Sequence, residues 1–396
     1  MSADPFLKVQ RDIEDAKVPK RAHPKGWEPG LDSEKGVVTH LSGSPTPPSS
    51  WDGIIRELGL DPSEFTVDQS QSVQVRTWDT PGADGGRMYY YKASVIPASS
   101  ASALDVDDLI REVKRRKPKP PKDILAERAL VACLADWQAG KADSGGVEAL
   151  IERLLALKDA VPARIREAQK VGKPISHLFV VTMGDLIENC SGHYPMQSFS
   201  VELDRRQQVK LVRRMLTMML MEWSRLPVKI VVGAVPGNHG ENRNASAKAY
   251  TSFEDNDDVA AVEQVQEILG ANKDAFGDIS WVIPDGDMTI TLDICGQVVG
   301  FLHGHQARRG STPQAKLQNW WRGKMASQHP IGDAQILVSA HYHHLTVVVD
   351  GPRTWMQCPA NDGGSRWFVE QGGATTACGT LTFVVDGSGW SDLAIL

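Results

Sequence analysis

The chain has 396 residues, 41% of them apolar and 23% charged, with a formal net charge of −6. That length holds one large domain with a smaller companion, or two of average size. The acidic balance excludes a protein that coats nucleic acid by bulk charge, and no apolar run approaches the ~20 residues of a membrane span.

Residues 1–48 are polar and rich in Pro, Lys, Gly and Ser, and are expected to form a flexible arm. Residues 49–98 read as a small α+β module. WDGIIRELGL (51–60) has the apolar spacing of a short helix, and SVQVRTWDT and RMYYYKASVIP flank the turn signal PGADGG as a hairpin. Residues 99–124 are expected to be a basic, Pro-rich linker, with seven Lys or Arg and three Pro in REVKRRKPKPPKD (111–123). The main domain is expected over 125–396. ERALVACLAD (127–136), SHLFVVTMGD (176–185) and VKIVVGAVPGNH (228–239) are apolar strands of the kind buried on both faces. Between them lie a helix from about Gly146, a shorter helical stretch after Pro162, and an amphipathic helix across 200–226. This alternation predicts parallel strands with right-handed crossovers. From MTITLDI onward the pattern is mostly strands and hairpin turns, with one helix at 313–328. The fold class is therefore α/β, a two-layer sandwich with mixed central sheets, preceded by the small module. Cys133, Cys190, Cys295, Cys358 and Cys378 are scattered without CxxC spacing, as in a cytosolic protein with reduced thiols. The N-terminus lacks the apolar core of a secretory signal, so a cytoplasmic location is expected.

Five strand-like runs end in metal-ligand side chains: LADWQAGK (134–141), MGDLIEN (183–189), PGNHGEN (236–242), FLHGHQ (301–306) and SAHYHH (339–344). Ligands in open α/β sheets bind beyond the carboxyl ends of strands, where Asp, Asn and His from distant segments converge. Carboxylates, imidazoles and an Asn carbonyl suit divalent ions of the Mn, Fe and Zn type. Such an arrangement points to a metal-dependent phosphoester hydrolase.

The ordered set D-x-[HQ], GD, GNH, H and H-x-H resembles the calcineurin-like metallophosphoesterases, the group that includes the Mre11/SbcD nucleases, over roughly residues 125–385. GDLIEN and PGNHGENR are also similar to phosphoesterases of actinobacterial phages and prophages, which would place the chain in a bacterial host cell. The resemblance implies two divalent ions, Mn²⁺ first, with Fe²⁺, Zn²⁺ or Ni²⁺ as alternatives. It implies that Asp136, Gln138 and His343 bind the first ion, that Asp185 bridges, and that Asn238, His303 and His341 bind the second. His239 would be the acid at the leaving oxygen. Two departures stand out: Gln138 replaces the more common His and is a weaker oxygen ligand, and Ala340 replaces Gly in the last motif. His305 is an alternative to His303. Glu188 and Glu241 either orient ligands or are solvated loop acids, and His193, His329 and His344 are expected to be structural.

Arg243, Arg308 and Arg309 follow the metal motifs and are candidate phosphate-binding residues. Lys316 and Lys324, spaced with Trp320 and Trp321, would extend a surface that stacks bases and pairs phosphates, and Tyr89–Tyr91 could add to it. The alternative is that the Trp pair is core and the tyrosines face the sheet. EDNDD (254–258) would repel nucleic acid if it lay on the same side. The expected function is a dinuclear-metal phosphodiesterase, a DNA nuclease. A small-molecule phosphoesterase and a weakly catalytic nucleic-acid-binding protein are the alternatives. Nucleic acid is the expected partner, and a homodimer is the expected assembly.

Overall fold

The computed structural model describes residues 30–32, 37–42, 51–57, 59–62, 65–67, 74–79, 87–97, 106–118, 127–195, 197–243, 248–249, 251–364 and 377–396. It divides into two units, Met1–Asp108 and Leu109–Leu396.

In the first unit the long strand β5 (Arg87–Pro97) pairs antiparallel with β2 (Val37–Ser42), β3 (Phe65–Val67) and β4 (Gln74–Asp79), and β1 (Gly30–Asp32) pairs with β2. Part of the stretch expected as a free arm is thus sheet. Its other residues, apart from 30–32 and 37–42, lie outside the described ones. The expected hairpin is β4–β5. Helix α1 (Asp52–Glu57) buries Ile54 and Ile55, and Trp51 meets Tyr91 edge-on at 6.3 Å. Tyr90 and Tyr91 are buried, so they serve the core and not a stacking surface.

Residues 111–118, read from sequence as extended, are helical through Lys114. Helix α2 (Val106–Lys114) buries Leu109 and Val113. Its Glu112 lies 3.5 Å from Arg214, and Asn272 Nδ2 donates to Val113 O and Arg116 O. Apolar residues four apart on one face drive this docking, and the prolines that break the helix come only at Pro118 and beyond. Residues 119–126 of that stretch lie outside the described ones.

The second unit holds two mixed sheets. One has the order β16 (Gly389–Ile395), β15 (Leu381–Asp386), β6 (Arg128–Leu134), β7 (His177–Thr182), β8 (Lys229–Ala234), β9 (Ser280–Val282). The other has the order β10 (Thr289–Ile294), β11 (Gln297–Leu302), β12 (Ile336–Ser339), β14 (Arg353–Gln357), β13 (Thr346–Asp350). Strands β6 to β9 are parallel, as are β11, β12 and β14. The sheets face each other across a core of Val131, Cys133, Phe179, Val181, Phe301, Val338, Met356 and Phe383. Helices α3 (Gly146–Lys170), α4 (Arg205–Trp223) and α5 (Asp257–Gly270) bury one apolar side each on the β6–β8 side. Helix α7 (Pro313–Ala326), which follows the short α6 (Lys273–Phe276), packs Leu317 and Trp321 with Leu302, Leu337 and Trp355 of the second sheet. The mixed-sheet α/β sandwich expected from sequence is therefore present, layered as helices, sheet, sheet, helix.

Two local features depart from the sequence reading. Helix α3 runs unbroken through Pro162. Proline has no N–H for the carbonyl four residues earlier. That carbonyl, Lys158 O, instead accepts from Trp223 Nε1 of α4 at 2.9 Å, so no acceptor is left bare. Helix α5 was not anticipated, because its start lies in the acidic EDNDD. Asn256 caps it, Asp257 pairs with Arg205 at 2.5 Å, and Asp258 is fully buried, so that stretch is only partly a solvated acidic patch.

Register sets the level of the site. Leu134 pairs with Thr182, and Thr182 with Ala234, so the turns after β6, β7 and β8 begin side by side. In the second sheet Phe301 pairs with Val338 and Ser339 with Gln357, which brings the turns after β11, β12 and β14 to one end as well.

Candidate metal centre

The turns are stitched to one another by backbone hydrogen bonds. Asp136 N donates to Gly184 O (3.2 Å), Gln138 N to Asp185 O (3.0 Å), Ala340 N to His303 O (2.8 Å) and Asn361 N to Asp136 O (3.2 Å). Within them Asp136, Gln138, Asp185, His341 and His343 all adopt positive φ, between 45° and 75°. This left-handed backbone costs about 1–3 kcal/mol per residue and persists only where the surroundings over-determine it. Glycine is required where the turns touch. A Cβ on Gly184 would lie 2.6 Å from the Gly237 backbone, and one on Gly237 would lie 2.1 Å from Asp185 N.

Asp185 is at the centre and buried. Its Oδ2 is 3.0 Å from His303 Nε2, and its Oδ1 accepts from His239 N at 2.8 Å. His303 Nδ1 is 2.7 Å from Met183 O, which can only accept, so that nitrogen carries a proton and Nε2 is the one that could ligate once it is deprotonated. Asn238 Oδ1 stands 3.1 Å from His303 Nε2. Asp185, His303 and His341 place one ligand atom each within 4.8 Å of one another, and the rings of His303 and His341 are 5.1 Å apart. Asp185, Asn238, His303 and His341 are thus brought together as one group.

Asp136 is fully buried. Its Oδ2 accepts from His341 N at 3.2 Å, while Oδ1 has no hydrogen bond among the described residues and lies 3.3 Å from His343 Nε2. That buried oxygen is met by the His343 ring, whose positive charge a bound cation would replace. Gln138 lies beside this pair, but its Oε1 accepts from Lys141 Nζ at 2.9 Å. The donor set of carboxylate, imidazole and amide oxygens fits divalent metals.

Charge is strongly coupled here. Burial opposes ionisation of Asp185, but the neighbouring His303 and His239 outweigh it and hold Asp185 well below the usual carboxylate range. Burial likewise disfavours the cationic forms of His303 and His343. The Asp185 carboxylate nonetheless raises His303 to about 9, and Asp136, with Asp362, raises His343 to about 10. His341 is lowered to about 4 by burial and by the charge of His303, so it presents a neutral ring.

His239 Nδ1 is 2.8 Å from the Glu188 carbonyl, which leaves Nε2 as its free nitrogen, 4.0 Å from Asp185 Oδ2. Glu188 is buried and accepts from Tyr194 OH at 2.7 Å, so it is not a solvated loop acid. Its pKa is raised, by burial. Glu241 pairs with Arg243 at 2.8 Å and lies 3.6 Å from His305. Arg243 is therefore tied to its own chain, while Arg308 and Arg309 are exposed on the loop between β11 and α7. His305 has no hydrogen bond at either ring nitrogen among the described residues and sits 5.3 Å from the His303 ring and 6.2 Å from that of His341. Burial and His303 lower its pKa to about 2. His329 caps the 3₁₀ turn Pro330–Asp333, and His344 bonds to Tyr342 O, both structural as expected. His193 stacks on His239 at 4.3 Å. Trp321 is core and donates to Ile331 O, whereas Trp320 is half-buried under Lys324 at 5.4 Å.

Sequence reasoning missed three residues. Asp258 accepts from the backbone N–H groups of Asp185 (2.8 Å), Leu186 (2.9 Å), Ile187 (3.3 Å) and Gly237 (3.2 Å), and so holds the GD and GNH turns against each other. Burial and the nearby Asp185 push it up to about 7. Lys141 and Asp362 form a pair at 2.5 Å beside His343. Asp362 carried a usable signal, since it follows β14 in the same strand-then-acid construction as the other motifs. Asp258 carried none, because it opens a helix 73 residues from the backbone it serves.

No family model matches the chain, nor does any curated protein. Solved structures do. One is a conserved uncharacterised protein of Streptococcus pneumoniae TIGR4 described as a predicted phosphoesterase, at 11% identity and TM-score 0.26, covering 65% of this chain and 84% of that one. Another is Vps29 complexed with Zn²⁺ from Entamoeba histolytica, at 11% identity and TM-score 0.30, covering 67% and 98%. A novel archaeal phosphodiesterase matches at 11% and 0.30, covering 67% and 99%. At this identity and these TM-scores the matches carry no argument, and the reading of the site rests on the chain's own residues. In its mixed-sheet architecture, and in the order of the Asp, Asn and His turns at one end of those sheets, the chain is similar to the calcineurin-like metallophosphoesterases.

Proposed function

We propose that the chain is a dinuclear-metal phosphodiesterase. The observation that carries this is the convergence of Asp136, Asp185, Asn238, His303, His341 and His343 from five separate turns, as an Asp185–Asn238–His303–His341 group and an Asp136–His343 pair. Asp136, Asp185 and His343 would hold a first ion, the Gln138 oxygen being committed to Lys141, and Asp185, Asn238, His303 and His341 a second. Divalent ions bound there would supply Lewis-acid chemistry, drawing charge from a phosphoryl oxygen and lowering the pKa of water. Mn²⁺ suits the oxygen-rich first set.

The chain's own residues supply the rest. Met183 O fixes the His303 tautomer and Asp185 aligns its ring. Glu188 and its carbonyl aim the free Nε2 of His239 toward the centre, where it would pass a proton to the departing oxygen. DNA is the proposed substrate. The exposed Arg308 and Arg309, and Lys316 held 5.7 Å from the Tyr342 ring beside His341, would meet its phosphates. A small diester such as a cyclic nucleotide is the second reading, favoured by the internal pairing of Arg243 and by Trp321 belonging to the core.

The test uses protein stripped of metal and reloaded with Mn²⁺, assayed on single- and double-stranded DNA, a chromogenic diester and cyclic nucleotides. Asp185→Asn should abolish turnover of every substrate, and retained turnover would sink the mechanism. DNA cleavage lost in that variant establishes the nuclease. Hydrolysis of small diesters alone transfers the assignment to the second reading.

A further inference from the structure

Where the resemblance implies a free ligand at Gln138, the chain has built a cation of its own. Lys141, three residues on in the same turn, directs its ammonium onto Gln138 Oε1 at 2.9 Å and onto Asp362 Oδ2 at 2.5 Å, with Gly364 O at 3.4 Å. The same Asp362 oxygen is 3.5 Å from His343 Nδ1, and His343 Nε2 faces Asp136. The Asp362 side chain is fully buried, that of Lys141 only 13% exposed, and Asp362 Oδ1 is occupied by Gly364 N at 2.8 Å. Both charges are therefore fixed by packing and not by the chance meeting of surface groups.

We propose that Lys141 and Asp362 are positioning residues that make the two metal sites unequal, so that the ion on the Asp136–His343 side is bound weakly and exchanges while the Asp185–Asn238–His303–His341 ion is retained. This rests on the dinuclear reading above. Two effects of Lys141 act in the same direction. It occupies the one oxygen Gln138 could offer, removing a ligand from the first site. It also sets a unit positive charge beside a site meant for a divalent cation, and in a buried setting that repulsion is poorly screened. Asp362 acts in the opposite sense. It neutralises Lys141 and gives the His343 ring a carboxylate on the nitrogen away from Asp136, the arrangement by which a carboxylate orients a metal-binding imidazole. Removing such a partner typically weakens metal affinity 10- to 100-fold.

The experiment titrates the metal-free full chain with Mn²⁺, reading free Mn²⁺ by electron paramagnetic resonance and heat by calorimetry. The wild type is expected to bind two ions with affinities at least about tenfold apart. Lys141→Gln should tighten the weaker site about tenfold and leave the tighter one unchanged, Lys141→Arg should behave as wild type, and Asp362→Asn should loosen the weaker site about tenfold or more. Gln138→Ala keeps the assay decisive should a Lys141 variant fold poorly, because a side chain already committed to Lys141 can be removed with less than about threefold change in either affinity. Two sites of equal affinity, a Lys141→Gln variant that binds as wild type does, or a Gln138→Ala variant that loses the weaker site would each overturn the inference. A wild type that binds no Mn²⁺ would instead overturn the dinuclear reading on which it rests.

Discussion

Substituting Gly237 by alanine tests how tightly the centre is built. The added Cβ would sit 2.1 Å from Asp185 N, 2.2 Å from Asp185 Oδ1 and 2.7 Å from Asp258 Oδ2. Ordinary carbon contacts begin near 3.5 Å, so the first two atoms are roughly 1.3 Å too close. Neither can yield freely, since Asp185 N donates to Asp258 at 2.8 Å and Asp185 Oδ1 accepts from His239 N at 2.8 Å. Overpacking of this kind costs about 1–3 kcal/mol, and losing one of these buried hydrogen bonds adds about 1–3 more. A total of about 2–6 kcal/mol corresponds to a fall in Tm of roughly 5–20 °C for a domain of this size. Because the displaced atoms belong to the bridging carboxylate, a shift of about 1 Å should also lower turnover by about 10²-fold in whatever protein remains folded. The assay is thermal unfolding by circular dichroism, followed by Mn²⁺ titration and hydrolysis of a chromogenic diester. Gly270→Ala is the control, since a Cβ there meets nothing within 4 Å at the end of α5, and its Tm should be unchanged or slightly raised. A Gly237→Ala protein with wild-type Tm and metal affinity would refute the packing account of the site.

Metal affinity should rise with pH. In the metal-free protein His303 and His343 keep their protons up to about 9 and about 10, because ionised carboxylates face them, and a cation must displace those protons. Their raised folded pKa values stabilise the metal-free fold fully below about 6.5, and this contribution is lost as pH climbs through 9–10. Calorimetry in buffers of different ionisation heat should show proton release on Mn²⁺ binding, and an affinity that does not change between pH 6.5 and 8.5 would contradict the assignment. Away from the site, Trp223→Phe should cost about 1–3 kcal/mol for the bared Lys158 carbonyl, plus a packing loss. Adding Pro162→Ala restores an N–H four residues on, so a double-mutant cycle by urea unfolding should show about 1 kcal/mol of recovery; strict additivity would mean that the carbonyl does not need Trp223.

Much of the centre was legible in the sequence because its chemistry is local. Short apolar runs marked β6, β7, β8, β11 and β12, and the Asp, Asn or His just beyond each run could only fall at a strand end. The parallel order of β6, β7 and β8 followed from the helices between them. The resemblance added roles to those positions, and the structure draws Asp185, Asn238, His303 and His341 into one group with Asp136 and His343 beside it. The hairpin β4–β5 was equally plain from its turn signal. Strands β1 and β2 were not, since β2 is held by pairing along β5 and β1 by pairing along β2, and not by their own composition.

Tertiary structure alone decided the rest, wherever a residue's meaning depends on what lies far from it in the chain. Asp258 looked like one more surface acid until the fold set it beneath the backbone of Asp185 and Gly237. Pro162 looked like a helix end until Trp223 took the carbonyl it had freed. Lys141 drew no reading of its own, and only the fold brings Asp362, beyond β14, to fix it against Gln138. The sequence by itself determined which ligands were available and at which strand ends. The three-dimensional structure determined which of their atoms are free, because hydrogen bonds between distant segments decide which buried polar atoms are already satisfied and which still face the centre.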